Sequence, residues 1–425
     1  MTSSRTRPFY VYLQRPDDGH WVTIGRYTAV DHVGQYRYAP SYLEAQLPWA
    51  IDPINLPLLA DVSFPAVRYR GLHDVLRDAA PDAWGRMLLQ REYQLPENAP
   101  DADYLLRAGN ADRWGALAVG HTRKPSVAAL ASPGLPQLEA LARELLAMAS
   151  HRPAIDPKLR RRLMATPSLG GARPKATVRD GQTFWLVKPS LATDLVDIPC
   201  LEHGMQQWAS TAGLYFAPTV LDHVMDVSGL SVLRSRRFDR HGDRRCMTIS
   251  GASLLQTEYP GGNTASWSYP LLAMALKQIG APDEDRQELF ERMVFNALIG
   301  NDDDHPRNHA ALYCQTEKRW RLAPAFDVVP APGSEHPRSL AMQLSTGRKD
   351  VSQASLLAEA HHFGFLTRQD AETHLNNLLQ RFQAGFEAAA RVLSPPLCAL
   401  MAHRLAEGLT LLRPPEGAQQ RPSGN

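Results

Sequence analysis

The stretch Gly-Asn-Asp-Asp-Asp-His-Pro-Arg-Asn at residues 300–308 decides the fold class, and it follows an apolar segment at 294–299 that we predict to be helical. Three adjacent carboxylates repel one another at neutral pH, so such a run requires cations, a helix N-terminus or open solvent. A calcium loop of the EF-hand type is disfavoured because its Asp-x-Asp-x-Asp-Gly spacing is absent. The stretch therefore indicates either a cation-binding catalytic loop or an acidic loop that caps the next element.

The spacing in and after this stretch distinguishes its aspartates. In kinase catalytic loops, the aspartate that accepts the substrate hydroxyl proton is followed five positions later by an asparagine that holds magnesium. Only Asp303 has an asparagine, Asn308, at this distance, whereas Asp302 and Asp304 flank it. Asp327 follows after a predicted hairpin, where kinases place a second magnesium-binding aspartate, and a plain turn starter is the alternative for it.

Two upstream features fit the same order. Trp-Leu-Val-Lys-Pro at 185–189 ends an apolar strand with Lys188, and Glu202 on a predicted helix is a candidate for its ionic partner. Ser-Leu-Gly-Gly-Ala-Arg-Pro-Lys at 168–175 contains a glycine pair that lets backbone N–H groups approach a phosphate. Taken singly, these features are more typical of a strand-end lysine that reaches water and of a tight turn. Their order along the chain is that of a kinase.

The rest of the chain divides into a β-rich beginning and a helical end. Aromatic and β-branched runs at 9–13 and 21–27 flank Asp-Asp-Gly and predict a hairpin. A helical pattern over 72–89, with Pro81 at a possible helix start, precedes a connection at 123–136 that is rich in Pro, Ser and Ala.

The predicted fold class is α+β. We expect a β-rich N-terminal domain at 1–125, followed by a two-lobed, protein-kinase-like domain at 137–413. The small lobe of this domain extends to about residue 240, the C-terminal lobe after it is mostly helical, and residues 414–425 form a disordered tail.

Composition limits the classes of function. The 425 residues carry 46 Lys plus Arg against 44 Asp plus Glu, a net charge of +2, which argues against a surface that is basic throughout. Basic stretches at 158–162 and 234–245 fit phosphate or nucleic-acid binding and a solvated face equally well. Scattered cysteines, a polar start and the lack of a run of about 18 apolar residues predict a cytoplasmic chain without a membrane span.

Together these motifs resemble those of the HipA family, the serine/threonine-kinase toxins of bacterial type II toxin–antitoxin modules. The residues that carry the resemblance are SLGGARPK at 168–175, WLVKPS at 185–190, RRFDR at 236–240, GNDDDHPRN at 300–308 and FDV at 326–328. The resemblance extends into the N-terminal part through LRDAAPDAWGR at 76–86 and NADRWGAL at 110–117, so it spans nearly the whole chain.

The resemblance implies a role for each matched residue. ATP and Mg²⁺ are the implied cofactors, with Asp303 and His305 in the catalytic loop and Asn308 and Asp327 as magnesium ligands. The implied nucleotide-binding residues are Gly170, Gly171, Lys175, Lys188, Glu202, Arg237 and Phe238, and the last two match the adenine-side hinge. Ser168 matches the serine that the family autophosphorylates, which ejects the loop at 168–175 and silences the kinase.

The resemblance also implies partners. A small helix-turn-helix antitoxin binds such a kinase and carries it to operator DNA, so this chain would contact DNA mainly through its partner. The implied substrate is a protein, an aminoacyl-tRNA synthetase, whose phosphorylation on serine halts translation and growth. Two alternatives stay open: a small-molecule kinase of the aminoglycoside or choline type, and a non-enzymatic corepressor that acts only with a DNA-binding antitoxin.

Overall fold

The computed structural model describes residues 5–165, 171–224, 229–261, 263–333 and 335–413. The predicted autophosphorylation site Ser168, the predicted phosphate-loop residue Gly170 and the predicted disordered tail at 414–425 lie outside these ranges. Along the described ranges, no helix combines the length and the apolar character that a membrane crossing requires.

The chain begins with a five-stranded antiparallel sheet. Its strands are β1 Arg5–Gln14, β2 Trp21–Val30, β3 Val33–Tyr38, β4 Phe64–Ala66 and β5 Leu117–Gly120, and their spatial order is β4-β3-β2-β1-β5. Strands β1 and β2 form the predicted hairpin, and Gly19 in its turn has a φ of 77°, a conformation that glycine adopts without steric cost. Phe9 and Tyr27 face each other across this hairpin and are fully buried.

Short helices accompany this sheet. They are α1 Pro40–Leu43, α2 Asp74–Asp78, α3 Ala83–Tyr93 and α4 Asp101–Arg107. Leu76 of α2 and Leu105 of α4 join Phe9 in the buried core. The predicted helical stretch at 72–89 is interrupted near Pro81, because proline lacks an N–H and restricts the residue before it. The helix after the interruption begins at Ala83 rather than at the proline.

A second sheet forms the small lobe. Its antiparallel strands are β6 Ala176–Asp180, β7 Thr183–Pro189, β8 Thr219–His223 and β9 Ser231–Arg236, in the order β6-β7-β9-β8. The helices of this lobe are α5 Leu138–Ala149, α6 Pro157–Ala165 and α7 Ile198–Thr211. Leu141 of α5 packs in one cluster with Val187 of β7. Asp197 fixes the start of α7 by accepting a hydrogen bond from the backbone N–H of Cys200.

The C-terminal lobe is mostly helical. Its helices are α8 Gly251–Leu254, α9 Tyr269–Gln278, α10 Asp283–Ile299, α11 Gln353–Leu357, α12 Arg368–Ala390 and α13 Pro395–Leu412. Its strands are β10 Arg240–His241, β11 Arg244–Arg245, β12 Thr248–Ser250, β13 Ala310–Cys314 and β14 Arg319–Leu322. Strands β10 and β11 pair with each other, and β12, β13 and β14 form a three-stranded sheet that contains the predicted hairpin.

Aromatic packing joins the two lobes. Trp208 of α7 is fully buried and meets Phe295 of α10 edge to face, with ring centroids 5.4 Å apart. The indole N–H of Trp208 donates to the backbone oxygen of Phe382 in α12 at 2.7 Å. On the other side of α10, Gly408 of α13 packs against Leu298 so closely that a Cβ at position 408 would collide with its carbonyl oxygen. Helix α10, which leads into the stretch at 300–308, is therefore enclosed on both sides.

This architecture confirms the predicted fold class. A β-rich N-terminal part is followed by a lobe with a four-stranded sheet and then by a mostly helical lobe, which is the two-lobed, kinase-like arrangement.

Candidate active site

A cleft lies where the small lobe, the helical lobe and the N-terminal part meet. Its lining includes Lys175 and Lys188 from the small lobe, Asn308 and Asp327 from the helical lobe, and Asp82 from the N-terminal part. All three parts of the chain therefore contribute side chains to one site.

Lys188 is the central charge of this cleft. It lies near the end of β7, and its buried ammonium group donates to both carboxylate oxygens of Glu202 at 2.8 and 3.0 Å and to Asp327 at 2.6 Å. Burial opposes this charge, but the carboxylates of Asp327 and Glu202 outweigh burial and raise the pKa of Lys188. In return, Lys188 lowers the pKa of Asp327 more than burial raises it. Three residues proposed from the sequence thus form one ion cluster.

The stretch at 300–308 begins where α10 ends. Gly300 has a φ of 72° and its backbone N–H donates to Asn296, so it terminates the helix in the left-handed conformation that glycine favours. The stretch closes in a short 3₁₀ turn, Pro306–Asn308. The side-chain amide of Asn308 lies 3.5 Å from the backbone oxygen of Asp303, so the loop brings together the two ends of the Asp-x4-Asn motif.

The consecutive aspartates have different surroundings. Asp302 and Asp303 are exposed, whereas Asp304 is buried. Partial burial of the Asp303 carboxyl group raises its pKa, and the neighbouring carboxylates of Asp327, Asp302 and Asp304 raise it further. A carboxylate with a raised pKa is a stronger base when it is ionised, so Asp303 is suited to accept a proton.

The buried side chain of Asp304 holds the loop in place through hydrogen bonds. Its carboxylate accepts hydrogen bonds from the hydroxyl of Tyr269, from the side-chain amide of Asn296 at 2.9 Å and from Nε2 of His309 at 2.8 Å. Burial raises the pKa of Asp304, but His309 and Tyr269 outweigh it and lower the pKa. Because all three bonds converge on Oδ2 of this buried carboxylate, Asp304 serves the structure of the loop rather than proton transfer.

His305 is buried beside the cleft. Its ring packs against the ring of Tyr259 with centroids 3.7 Å apart. Burial lowers the pKa of His305, so the imidazole is neutral at pH 7. Its Nδ1 atom has no hydrogen-bond partner within the described ranges. A neutral, buried ring that packs on Tyr259 fits a role in shaping the loop.

A second lysine lies opposite Lys188. Lys175 is buried, and this burial lowers its pKa to about 8, against the opposing effect of Asp327. A Cβ at position 171 would lie 2.9 Å from the ammonium nitrogen of Lys175, so Gly171 leaves room for that group. The backbone oxygen of Gly171 also accepts a hydrogen bond from the N–H of Trp84 at 3.2 Å.

The opposite end of the cleft is aromatic. Phe238 packs against Phe326 with ring centroids 5.4 Å apart and meets Trp114 edge to face at 6.5 Å. Phe238 thus lines the cleft within an aromatic cluster, and its place on the adenine side stays a prediction. The guanidinium of its neighbour Arg237 is buried and pairs with the carboxylates of Asp239 and Asp112. Its charge is therefore balanced by an internal ion network.

Sequence reasoning missed a charged cluster at the edge of the cleft. Arg307, next to Asn308 in the 3₁₀ turn, lies 3.0 Å from Asp82 and 3.6 Å from Asp78. No spacing rule relates positions so far apart in the chain. The sequence offered one indication: the aspartates and Arg307 fall within the stretches that carry the family resemblance, 76–86 and 300–308.

The donor set of the cleft fits a magnesium ion. Magnesium prefers oxygen ligands and is held by one or two carboxylates together with waters and phosphates. Asp327 supplies an ionised carboxylate, and Asn308, which also lines the cleft, carries an amide oxygen. Among the residues that the structure describes, no group of three or more His, Cys, Asp or Glu side chains is arranged to hold a metal ion by itself.

The fold and the cleft define a protein of the two-lobed, kinase-like class. The profile of the HipA-like C-terminal domain matches residues 167–386, which is more than half of the chain, and the chain belongs to this family. The family prediction is therefore confirmed. The chain matches no curated protein sequence.

Two solved structures are similar to this chain, and the first of them shares its fold. The HipA chain of Shewanella oneidensis MR-1, in a toxin–antitoxin complex with HipB and operator DNA, aligns over 95% of this chain and 97% of its own, with 16% identity and a TM-score of 0.70. The Helicobacter pylori proinflammatory kinase CtkA aligns over 56% of this chain and 90% of its own, with 15% identity and a TM-score of 0.43. The first likeness extends over the N-terminal part as well.

Proposed function

We propose that this protein is an ATP- and Mg²⁺-dependent serine/threonine protein kinase that acts as the toxin of a HipA-type toxin–antitoxin module. The observation that carries the proposal is the contact of Lys188 with both Glu202 and Asp327 in a cleft that Asn308 also lines. These are the lysine–glutamate pair and the metal-binding groups that protein kinases require.

Different residues of the cleft bind different parts of the nucleotide. Lys188 contacts the α- and β-phosphates while it stays paired with Glu202, and Lys175 adds a second positive charge beside Gly171. Phe238 and its aromatic neighbours provide an apolar surface for the adenine ring. Asn308 and Asp327 would hold magnesium, which would neutralise charge on the phosphates.

In the chemical step, Asp303 acts as the general base. Its carboxylate accepts the proton of a serine or threonine hydroxyl while the hydroxyl oxygen attacks the γ-phosphorus. The bond between the γ-phosphorus and the bridging oxygen breaks, and ADP leaves with that oxygen. Positioning and charge neutralisation supply most of the catalysis in such reactions. His305 supports the loop through its packing on Tyr259.

The biological role extends the proposal from the site to its partners. A helix-turn-helix antitoxin would bind this chain and carry it to operator DNA, in line with a net charge of only +2 and with the complex in which the Shewanella chain is found. The substrate would be a cytoplasmic protein, an aminoacyl-tRNA synthetase, and autophosphorylation of Ser168 would silence the kinase. Residues 1–125 and 137–413 would be its two domains.

Direct phosphoryl transfer tests the proposal. Purified protein is incubated with γ-labelled ATP and Mg²⁺, alone and with a cell lysate whose phosphoserine and phosphothreonine sites are then mapped by mass spectrometry. We expect Asp303→Asn and Asp327→Asn to lower labelling about 100-fold or more with the fold intact by circular dichroism. The matched control is Asp302→Asn, an exposed neighbour in the same loop, which should stay active. Labelling by Asp303→Asn at the wild-type rate would rule out the assigned base.

A further inference from the structure

We infer that the N-terminal part of this chain activates the kinase site from within the same molecule, by holding the catalytic loop through the ion pairs of Arg307 with Asp78 and Asp82. This inference rests on the proposed function, because it assigns positioning residues to that site. The inference explains how the catalytic loop is held in its active geometry without phosphorylation of the protein.

Arg307 is the point at which the loop is held. It lies in the 3₁₀ turn Pro306–Asn308, immediately before the candidate magnesium ligand Asn308. Its side chain is only 10% exposed and places one nitrogen 3.0 Å from Asp82 and another 3.6 Å from Asp78. Burial opposes the charge of Arg307, but Asp82 and Asp78 outweigh it and raise the pKa. The guanidinium is therefore a permanent cation facing two carboxylates of the N-terminal part.

Asp78 ties this contact to the helical lobe. Besides Arg307, its carboxylate accepts hydrogen bonds from the backbone N–H and the hydroxyl of Ser250, at 2.8 and 2.7 Å, and from the hydroxyl of Ser253 at 2.7 Å. These serines begin α8, and the N–H of Gly251 donates to the backbone oxygen of His309 at 2.7 Å. Asp78 thus fixes the start of α8, which in turn fixes the chain just after the 3₁₀ turn.

Asp82 ties the same contact to the glycine-containing segment. It immediately precedes α3, and two positions later the N–H of Trp84 donates to the backbone oxygen of Gly171 at 3.2 Å. Arg77 lies 3.2 Å from Oδ1 of Asp82, the same carboxylate oxygen that Arg307 contacts. The start of α3 therefore contacts both the catalytic loop and the segment that faces the phosphates.

The charges explain why this arrangement acts as an activator. In many kinases a phosphate on the activation loop supplies the negative charge that arginines need to order the site. Here the side chains of Asp78 and Asp82 supply it without a phosphate, from a part of the chain that precedes both lobes. A displacement of about 1 Å at a positioned group costs about 100-fold in rate, so the turn that carries Asn308 must be held closely.

The test compares two buried arginines of the same interface in the full-length protein. Arg245 is the matched control, because its guanidinium donates to the backbone oxygens of Asn110 and Ala111 in the N-terminal part but does not contact the loop. We expect Arg307→Met to lower kcat about 100-fold with the KM for ATP changed less than about threefold. Arg245→Met should lower the melting temperature by a similar amount and leave kcat within about threefold of wild type.

Two further variants separate positioning from folding. Arg307→Lys keeps one charged donor and should restore kcat to within about tenfold of wild type. Asp82→Asn keeps the size of the side chain, and should lower kcat about tenfold at unchanged ATP KM even if Arg307→Met proves unstable. Hydrogen–deuterium exchange should become faster at residues 301–309 in both Arg307→Met and Asp82→Asn, and not in Arg245→Met.

The outcomes distinguish this inference from the proposed function. A wild-type protein that transfers no phosphate overturns the proposed function, and the exchange measurement still decides whether the N-terminal part holds the loop. If the wild type is active and Arg307→Met loses no more kcat than Arg245→Met, the inference is wrong. Unchanged exchange at 301–309 in Arg307→Met and Asp82→Asn overturns it as well.

Discussion

Lys188 and Asp327, which are 139 positions apart in the sequence, are joined by an ion pair of 2.6 Å. The same ammonium group contacts Glu202, so one positive charge lies between two carboxylates. In the proposed complex with ATP and magnesium, Asp327 would turn from Lys188 toward the metal while Glu202 keeps the lysine paired. The two carboxylates exceed the charge of Lys188 by one, and Lys175, which also acts on both of them, offsets this excess while it is protonated.

Removal of this lysine should abolish activity. Lys188→Met takes away the contact with the phosphates and leaves Glu202 buried without its counter-charge, so we expect kcat to fall about 100-fold or more. ADP formation measured by a coupled assay checks this. Lys277→Met, at an exposed lysine of α9, is the control and should keep wild-type turnover. A fully active Lys188→Met would mean that the nucleotide binds elsewhere.

Lys175 should make ATP binding sensitive to pH. Because burial lowers the pKa of Lys175 to about 8, its ammonium group loses its proton as the pH rises through that value. The KM for ATP should accordingly rise between about pH 7 and pH 9. Steady-state kinetics across this range measure the effect. Lys175→Arg keeps its charge throughout and should show a flat profile; an equally steep rise in this variant would point to another group.

Asp303 should set the acid limb of the pH–rate profile. Burial and the neighbouring carboxylates raise its pKa above the usual value of 3.8, and the base is active only when ionised. Hence kcat/KM should fall as the pH drops through this raised pKa. Asp302→Asn removes one neighbouring negative charge, lowers the pKa of Asp303 and should move the acid limb to lower pH. The exposed and remote Asp61→Asn should leave it in place.

The packing of α13 on α10 yields a prediction about stability. Gly408 has no room for a Cβ beside the carbonyl oxygen of Leu298, so Gly408→Ala should destabilise the fold by roughly 1–3 kcal/mol despite the higher helix propensity of alanine. Urea unfolding gives the difference. Ala406→Gly, on the exposed face of the same helix, should cost only about 0.5–1 kcal/mol. A Gly408→Ala variant more stable than wild type would show that the two helices separate easily.

Local spacing predicted the part of the cleft that neighbouring residues build. Asp303 and Asn308 lie within one short loop, so their five-residue separation fixes their proximity. Lys188 and Glu202 lie on a strand and the next helix, and their order along the chain was enough to propose the pair that the structure shows. The strands of the first hairpin were predictable for the same reason, since the turn residues lie between them.

Contacts between distant segments were not predictable in this way. Arg237 was assigned to the adenine side from its motif, but its guanidinium is held by Asp112, which belongs to the N-terminal part. Arg307 and Asp82 are likewise separated by the whole small lobe and by the first part of the helical lobe. Such pairs form only because the folded N-terminal part lies against the cleft, and single-sequence patterns carry no information about that placement.

The hairpin of β13 and β14 also determines where the protein can be extended. Asn308 precedes one of its strands and Asp327 follows the other, and the register from Ala311–Leu322 to Cys314–Arg319 sets the span between them. The turn residues 316–318 are exposed at the opposite end. Additional residues there leave the strand register unchanged. This turn is accordingly the insertion point for an epitope or a fluorescent reporter that would follow the protein in living cells while the cleft keeps its geometry.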